Sequence, residues 1–527
     1  MQREFFARKA SGLVRQISAK DALVLNVVNS APTFAFMFIM FSAVLYQGVN
    51  MSLATVVAIP FTFLVALSYY FFAVTMPRSG GDYVWVSRSL HPAIGFMESF
   101  LWMAVLLSYF GPMGAWPLDP CFRSILVNWG TLTNTPAMIE QAGALVNTTN
   151  LFATSLIVTI IGCGIHFFST KTLFRYYWVC FGLTAIGLLA YAIPMLATGH
   201  QGFVARFNEL SGLNYSDIVS SAQSGGYFTG FAISGTMLGT VFAFLNLLGY
   251  QWATYVGGEV KDVSRSQMIA CLGQVLICGL WTLIIYQVTY VVAGSEFING
   301  ASYLALTGNS VWTAPVPPAL NYLVVFATDN PWIAALPAIG LAGAVLACST
   351  SWVTMATRCI FAWSFDRAIP IGFSHVDQRF RAPRNAVALA FVVSLMYVFL
   401  NYFTGVLKYL AYGNLGSFIP VFIIGIAMMV FPFRRKDIFE TAPKLVQTRV
   451  SGFPLMTILG AITTAVGAFI SVFSVMPVFT GAPIEPAYIL AIAVTAIIPL
   501  VIYGIAYWYN QRIGIDMSLG FREVPPA

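Results

Sequence analysis

Charge is what this sequence has least of. Of 527 residues, 9% are Asp, Glu, Lys or Arg and 58% are hydrophobic, against about 25% charged in soluble globular domains. A soluble fold is thereby excluded. Histidine is nearly missing, with four in the chain at positions 91, 166, 200 and 375. The chain has no HExxH, no CxxC cluster and no Gly-rich nucleotide loop, so the machinery of a polytopic membrane enzyme is not in sight and the chain is not read as an enzyme. Its seven cysteines (121, 163, 180, 271, 278, 348 and 359) are scattered through the apolar runs, which suggests neither a metal site nor a disulfide framework. No low-complexity linker interrupts the chain.

What the sequence has is apolar length. Runs long enough to cross a bilayer recur near 22–46, 52–75, 94–117, 151–168, 173–197, 232–256, 268–293, 332–357, 386–404, 407–431, 453–477 and 487–509, twelve in all, and predict an all-α polytopic membrane protein. The first run is too long, and too polar at its centre, for a signal peptide. With the N-terminus inside, all but three of the 26 Lys and Arg fall on the inner side, the exceptions being Arg123, Arg206 and Lys408. Both termini are therefore expected in the cytoplasm of a multi-pass plasma-membrane protein. The net charge of +7 needs no nucleic-acid partner. The domain reading is a cytoplasmic tail at 1–21, a core at 22–431, a cytoplasmic loop at 432–452, two further helices within 453–509 and a cytoplasmic tail at 510–527. The longest loops, near 118–150, 199–231 and 294–331, are assigned outside, and Asn147-Thr148-Thr149 forms a glycosylation sequon.

Two spans are interrupted. NVVNSAPTFAF (26–36) puts two asparagines, a serine and a proline in the middle of span one, and span six carries Asn246, Gly249 and Gln251 at its centre. An unsatisfied backbone group in lipid costs several kcal/mol. A single interruption reads as an ordinary proline kink. A pair five spans apart is the best sequence pointer to a substrate site in transporters built from inverted repeats. Broken helices expose N–H ends with partial positive charge and C=O ends with partial negative charge, and a zwitterion matches that pair.

Four stretches in order then resemble the amino acid/polyamine/organocation (APC) permease superfamily over nearly the whole chain: MPRSGGDYVWVSR (76–88), Phe244 to Glu259, RCIFAWSFDRAIP (358–370) and RAPRNAVAL (381–389). The resemblance implies a LeuT-type fold of 12 transmembrane helices, with spans one to five and six to ten as inverted repeats and two further C-terminal helices. It also implies secondary transport by alternating access. There are departures. Asn29 to Phe34 occupy the place of the family's Gly-Ser-Gly-Ile-Phe, Gly249-Tyr250-Gln251 replaces Gly-Phe-Asp/Glu, and Asp262-Val263 stands for Asn-Pro. Aligning Lys171 and Arg175 with the family loop puts Thr184 where many proton-coupled relatives have a lysine. That leaves sodium coupling, exchange or a different proton carrier.

The expected substrate is an amino acid or related amine bound between the breaks. Its carboxylate would meet N–H groups in the stretch of Ala31, Pro32, Thr33 and Phe34, where Pro32 has no N–H to give. Its amine would meet carbonyls of Leu245, Asn246, Leu247 and Leu248, with Asn29, Ser30 and Asn246 adding side chains. Gly249 and Tyr250 complete the set, Tyr250 as an outer gate or as plain packing. Val28, Thr184, Ser351 and Thr354 form a candidate sodium site, with interhelical hydrogen bonding as the alternative. Glu259, Arg358 and Asp366 are a candidate cytoplasmic gate, with solvated loop charges as the alternative. Glu98 and His166, near the inner ends of spans three and four, are expected to be interfacial or loop-paired. No cofactor or metal is expected beyond sodium or proton coupling. The alternatives are a LeuT-fold carrier of nucleobases or organic cations, and a non-transporting membrane sensor. Partners are the small-molecule substrate and the lipid bilayer, with the oligomeric state open.

Overall fold

The computed structural model describes residues 15–377, 383–404, 413–473, 475 and 486–521. Arg3, Arg8, Lys9, Arg379, Arg381, Lys408 and Arg522, and with them part of the 381–389 motif, lie outside the described residues. Among the described residues the secondary structure is helical apart from one two-stranded hairpin pairing Arg449–Val450 with Phe453–Pro454.

Among the described residues, eleven helices are long and apolar enough to cross a membrane. The chain builds them as α1 (Ala19–Ser30) continuing through a turn into α2 (Ala35–Leu45), α3 (Met51–Thr75), the short α4 (Asp82–Ser89), and α5 (Pro92–Ser108) running on to α6 (Arg123–Leu132). Then come α7 (Thr148–Gly164), α8 (Thr170–Ser211), α9 (Ile233–Asn246), α10 (Trp252–Tyr255), α11 (Val263–Val292), α12 (Pro331–Phe365), α13 (Arg384–Phe403), α14 (Gly413–Arg434), α15 (Leu455–Phe473) and α16 (Pro486–Arg512). The sixth expected run is the exception to the length rule. α9 has 14 residues, about 21 Å of helix at 1.5 Å per residue, against a hydrocarbon core of about 30 Å.

The expected outer loops are largely helical. Residues 118–150 hold α6 and a second helix, Pro136–Leu145, and the other two hold Tyr215–Ser224 and Ser295–Leu306. Polar composition marked these stretches as loops, yet Pro136 at the first helical position and the Asn214 side chain accepting from the Ser216 N–H at 3.1 Å supply ordinary helix starts.

α1 opens with a capping box in which Ser18 and Asp21 satisfy each other's backbone N–H. It is buried among α11, α12 and α8, and α3 packs on α9 and α11. The two breaks thus lie inside protein, the one place where irregular backbone at membrane depth is tolerated. α16, the last of the spans, leaves most of its apolar side chains exposed, as a lipid-facing helix must. Arg78, Arg88, Arg358 and Arg435 gather at one end of the bundle, together with the start of α1; we call this the basic end.

Candidate functional site

The break in span one is built by two residues. Ala31 takes a left-handed conformation (φ 47°, ψ 69°) that closes α1, and Pro32, without an N–H, starts a 3-10 turn over Pro32–Phe34. In span six, α9 ends at Asn246 and turns occupy 247–251; α10 and a 3-10 turn at Gly257–Glu259 follow. Helix ends leave carbonyls without intrahelical donors, and side chains from span one supply them. Ser30 Oγ donates to the Asn246 carbonyl at 2.6 Å, Asn29 Nδ2 to Leu248 at 3.3 Å and Asn26 Nδ2 to Tyr250 at 2.7 Å. Asn26 Oδ1 also accepts from the Ala253 N–H at 2.7 Å. From α11, Gln274 Nε2 donates to Leu247 at 3.2 Å and Gln267 Nε2 to Ala253 at 2.9 Å. Gly249 permits the close approach, since a Cβ there would sit 2.6 Å from the Asn26 carbonyl oxygen.

The structure therefore brings Asn29, Ser30, Asn246, Leu247, Leu248, Gly249 and Tyr250 together, with roles shifted. The carbonyls of 246, 247 and 248 each already accept a side-chain donor, and that of Leu245 accepts the Leu248 N–H at 3.1 Å. The N–H groups of Ala31 and Phe34 are committed to Val27 and Ala31 carbonyls. What stays open are side-chain ends: Thr33 Oγ1, Asn246 Oδ1, Gln251 Oε1 and Gln274 Oε1 are buried and have no hydrogen-bond partner among the described residues. Native structures rarely leave such groups unpaired without reason.

Tyr250 is buried edge-on against Tyr69 of α3, ring centroids 5.3 Å apart, on the side of the break that leads to the basic end. On the other side Phe34 meets Trp116 at 5.2 Å and Phe38 meets Phe242 at 5.6 Å, so aromatic rings pack on both sides of the break.

Of the candidate ion-site residues, Ser351 Oγ lies 2.6 Å from Asn29 Oδ1, to which it can donate. Thr354 Oγ1 is enclosed by Tyr177 OH and His166 Nε2, each at 2.8 Å. His166 Nδ1 is 2.9 Å from the Gly162 carbonyl, so it carries the proton there and Nε2 accepts from Thr354, which in turn accepts from Tyr177. Thr184 donates to the Cys180 carbonyl of its own helix at 2.9 Å, and Val28 is buried within α1.

At the basic end Glu259 and Arg358 form a bidentate pair, both hydrogen bonds at 2.9 Å and both residues buried. Asp366 is not part of it. It pairs bidentately with Arg88 at 2.6 and 2.8 Å. The reading of these charges as solvated does not hold, because both pairs are withdrawn from solvent. The N-terminal segment straps across the same place, with Gln16 and Ile17 N–H groups donating to the Glu259 carbonyl and the Lys261 N–H to Ile17.

Glu98 also departs from expectation. It is fully buried, not interfacial, and the loop group it meets is another acid, Asp82.

The amino acid permease family matches this chain over residues 22–498. The chain belongs to that family. No curated protein matches it. The match runs from α1 into α16 and takes in both breaks and both ion pairs. The chain's family and its apolar helices together support a multi-pass membrane transporter. Several of its site residues escaped the sequence reading. Gln267 and Gln274 are seven apart in α11, and that spacing on one helix face was a usable signal. Arg88 stood inside a quoted motif without a partner. The Tyr177–Thr354–His166 chain left no trace in sequence.

Proposed function

We propose that this permease is a secondary active transporter of amino acids or related amines, working by alternating access, with substrate held between the interrupted helices. The carrying observation is the set of buried, unpartnered polar ends at the two breaks, Thr33 Oγ1, Asn246 Oδ1 and Gln251 Oε1, with Gln274 Oε1 beside them on α11. Amide oxygens suit an ammonium, and the backbone carbonyls first expected in that role are already in use. The carboxylate is assigned to the Thr33 side. In this reading α9 and α10 together make the sixth of twelve spans, spans one to five and six to ten are inverted repeats, and the basic end faces the cytoplasm of a plasma-membrane protein. The buried ion pairs then close the inner path. Sodium coupling through Ser351 requires Asn29 to give up its hydrogen bond, and Thr354 has little lone-pair capacity to offer.

The test is thermal stabilisation of the purified permease in detergent by amino acids, polyamines and nucleobases, each with and without sodium. A ligand at about a hundred times its Kd stabilises by roughly 2.7 kcal/mol. Response to one amino acid class supports the proposal. Response to nucleobases alone, or to nothing, refutes it.

A further inference from the structure

Two carboxyl groups meet in the protein interior beneath the span-six break. Asp82 starts α4 and Glu98 lies in α5, and both are buried. α4 packs against α5, and the two carboxyl groups are neighbours in that contact. Asp82 has its own donors: Tyr255 OH of α10 reaches Oδ2 at 2.5 Å and the Tyr83 N–H reaches Oδ1 at 3.1 Å. Glu98 has none, for neither of its carboxyl oxygens has a hydrogen-bond partner from a donor group among the described residues. The titratable groups that face the pair are Tyr69 of α3, Tyr255 of α10 and Cys359 of α12, all neutral acids. The buried guanidiniums of this end, Arg88 and Arg358, are each bound to another carboxylate.

Two carboxylates in contact, without a cation and with donors for one only, require a proton between them. The donor geometry says which group holds it. Asp82, receiving two hydrogen bonds, is the acceptor, and Glu98 donates to it as the acid. Burial raises the affinity of Asp82 for a proton as well.

We propose that Asp82 and Glu98 form a proton-binding site that couples the transport cycle of this permease to proton movement. The proposal rests on the transporter reading above and supplies its coupling ion. The link to the cycle is Tyr255. It sits on the second half of the interrupted span, between the break and Glu259, and its hydroxyl holds Asp82. When that segment moves to open the basic end, Asp82 loses a donor, water reaches the pair, and Glu98 releases its proton to that side. Once the basic end has closed, the pair is reloaded with a proton from the opposite side of the membrane, so each cycle carries one proton across. Binding and release are a proton transfer between Glu98 Oε and water, with no other reactant.

Infrared spectroscopy of the purified full-length permease reads the proton directly. Near neutral pH the wild type shows the C=O stretch of a buried protonated carboxylic acid, lost in Glu98→Gln and retained in Glu259→Gln. No such band, or one unchanged by Glu98→Gln, overturns the proposal without touching the transporter reading, because no substrate is involved. Where Glu98→Gln does not fold, the wild-type band and its pH titration decide. Coupling is read in proteoliposomes with a mixture of radiolabelled proteinogenic amino acids. One pH unit drives about tenfold accumulation at one proton per turnover. Glu98→Gln abolishes this accumulation but keeps exchange, and gradient-driven accumulation surviving in Glu98→Gln overturns the proposal. Wild type that neither accumulates nor exchanges any of the mixture refutes the amino acid reading instead, with the infrared band still deciding the proton.

Discussion

Removing the Arg358 guanidinium strands a charge. Glu259 receives both of its side-chain hydrogen bonds from Arg358 Nε and Nη2, at 2.9 Å each, in surroundings closed to solvent. In Arg358→Met the carboxylate stays buried without its partner, a perturbation that costs about 3–5 kcal/mol. Replacing both residues by methionine removes the desolvation cost along with the attraction, and such double replacements of buried pairs are neutral or stabilising by about 1–4 kcal/mol. The non-additivity of the cycle is therefore large and of known sign.

The same loss has a conformational reading. If the pair holds the basic end closed, losing 3–5 kcal/mol from the closed form raises the open population by roughly 10² to 10³ or more, at a factor of ten per 1.4 kcal/mol. The N–H groups of Gln16, Ile17 and Lys261, bonded across this place, report it by hydrogen exchange. The assay pairs unfolding free energies in mixed micelles for the four members of the cycle with exchange of segments 15–21 and 255–263. A single-variant cost below about 1 kcal/mol with unchanged exchange is how a solvated pair behaves, and it would refute the reasoning.

Asn26→Leu leaves the Tyr250 carbonyl and the Ala253 N–H buried and unpaired, at about 1–3 kcal/mol each, so its melting temperature falls and exchange at Ala253 quickens; an unchanged Ala253 would show that this contact does not hold the break. Gly249→Ala places a Cβ 2.6 Å from the Asn26 carbonyl oxygen; it lowers stability, and a neutral result would mean that the helices stand further apart. Burial pushes the Asp82 carboxyl up from 3.8 to about 6. A folded pKa above the unfolded one stabilises at low pH and loses that contribution as pH rises through the folded value, so the wild type gains thermal stability as pH drops from about 6 and Asp82→Asn flattens the curve. Thr354→Val disconnects Tyr177 from His166 and destabilises by about 1–3 kcal/mol equally with and without sodium; destabilisation seen only in sodium would make Thr354 an ion ligand.

The sequence made both interruptions visible because Asn26, Asn29, Ser30 and Pro32 stand against an otherwise unbroken apolar run, and hydropathy is read along the chain. What it could not show is who answers whom. A buried asparagine announces that it needs partners, but that Asn26 takes both a carbonyl and an N–H of span six is a fact of packing between residues more than two hundred apart. Hence the backbone carbonyls at 246–248 looked available when side chains already held them. Charge suffered in the same way. Asp366 was grouped with Glu259 and Arg358 by its place at a helix end, and it chose Arg88. Glu98 lay one turn from a span end, which measures depth in lipid; burial by α4 and α12 is a separate depth that linear position does not carry.

These contacts converge on a single stretch of chain. Between Asn246 and Val260, span six gives its carbonyls to Asn29, Ser30 and Asn26, its Tyr250 ring to Tyr69, its Trp252 Nε1 to the Ser351 carbonyl at 3.0 Å, its Tyr255 hydroxyl to Asp82 and its Glu259 to Arg358. Backbone bridges from Ser79 to Val256 and from Ile17 to Val260 tie it down further. A neutral hydrogen bond contributes about 0.5–1.5 kcal/mol net, so none of these alone, the ion pair excepted, could set a conformational equilibrium. Because α10 is four residues long and flanked by turns, it cannot move at one contact while keeping the rest. The bonds open or close as a group, and a packed element with two arrangements can switch where a deformable one would only drift. Under the proposed function and the proposed proton site, substrate at the break, a proton at Asp82 and Glu98, and closure at Glu259 would all act on this one element, and each would bias the others through it.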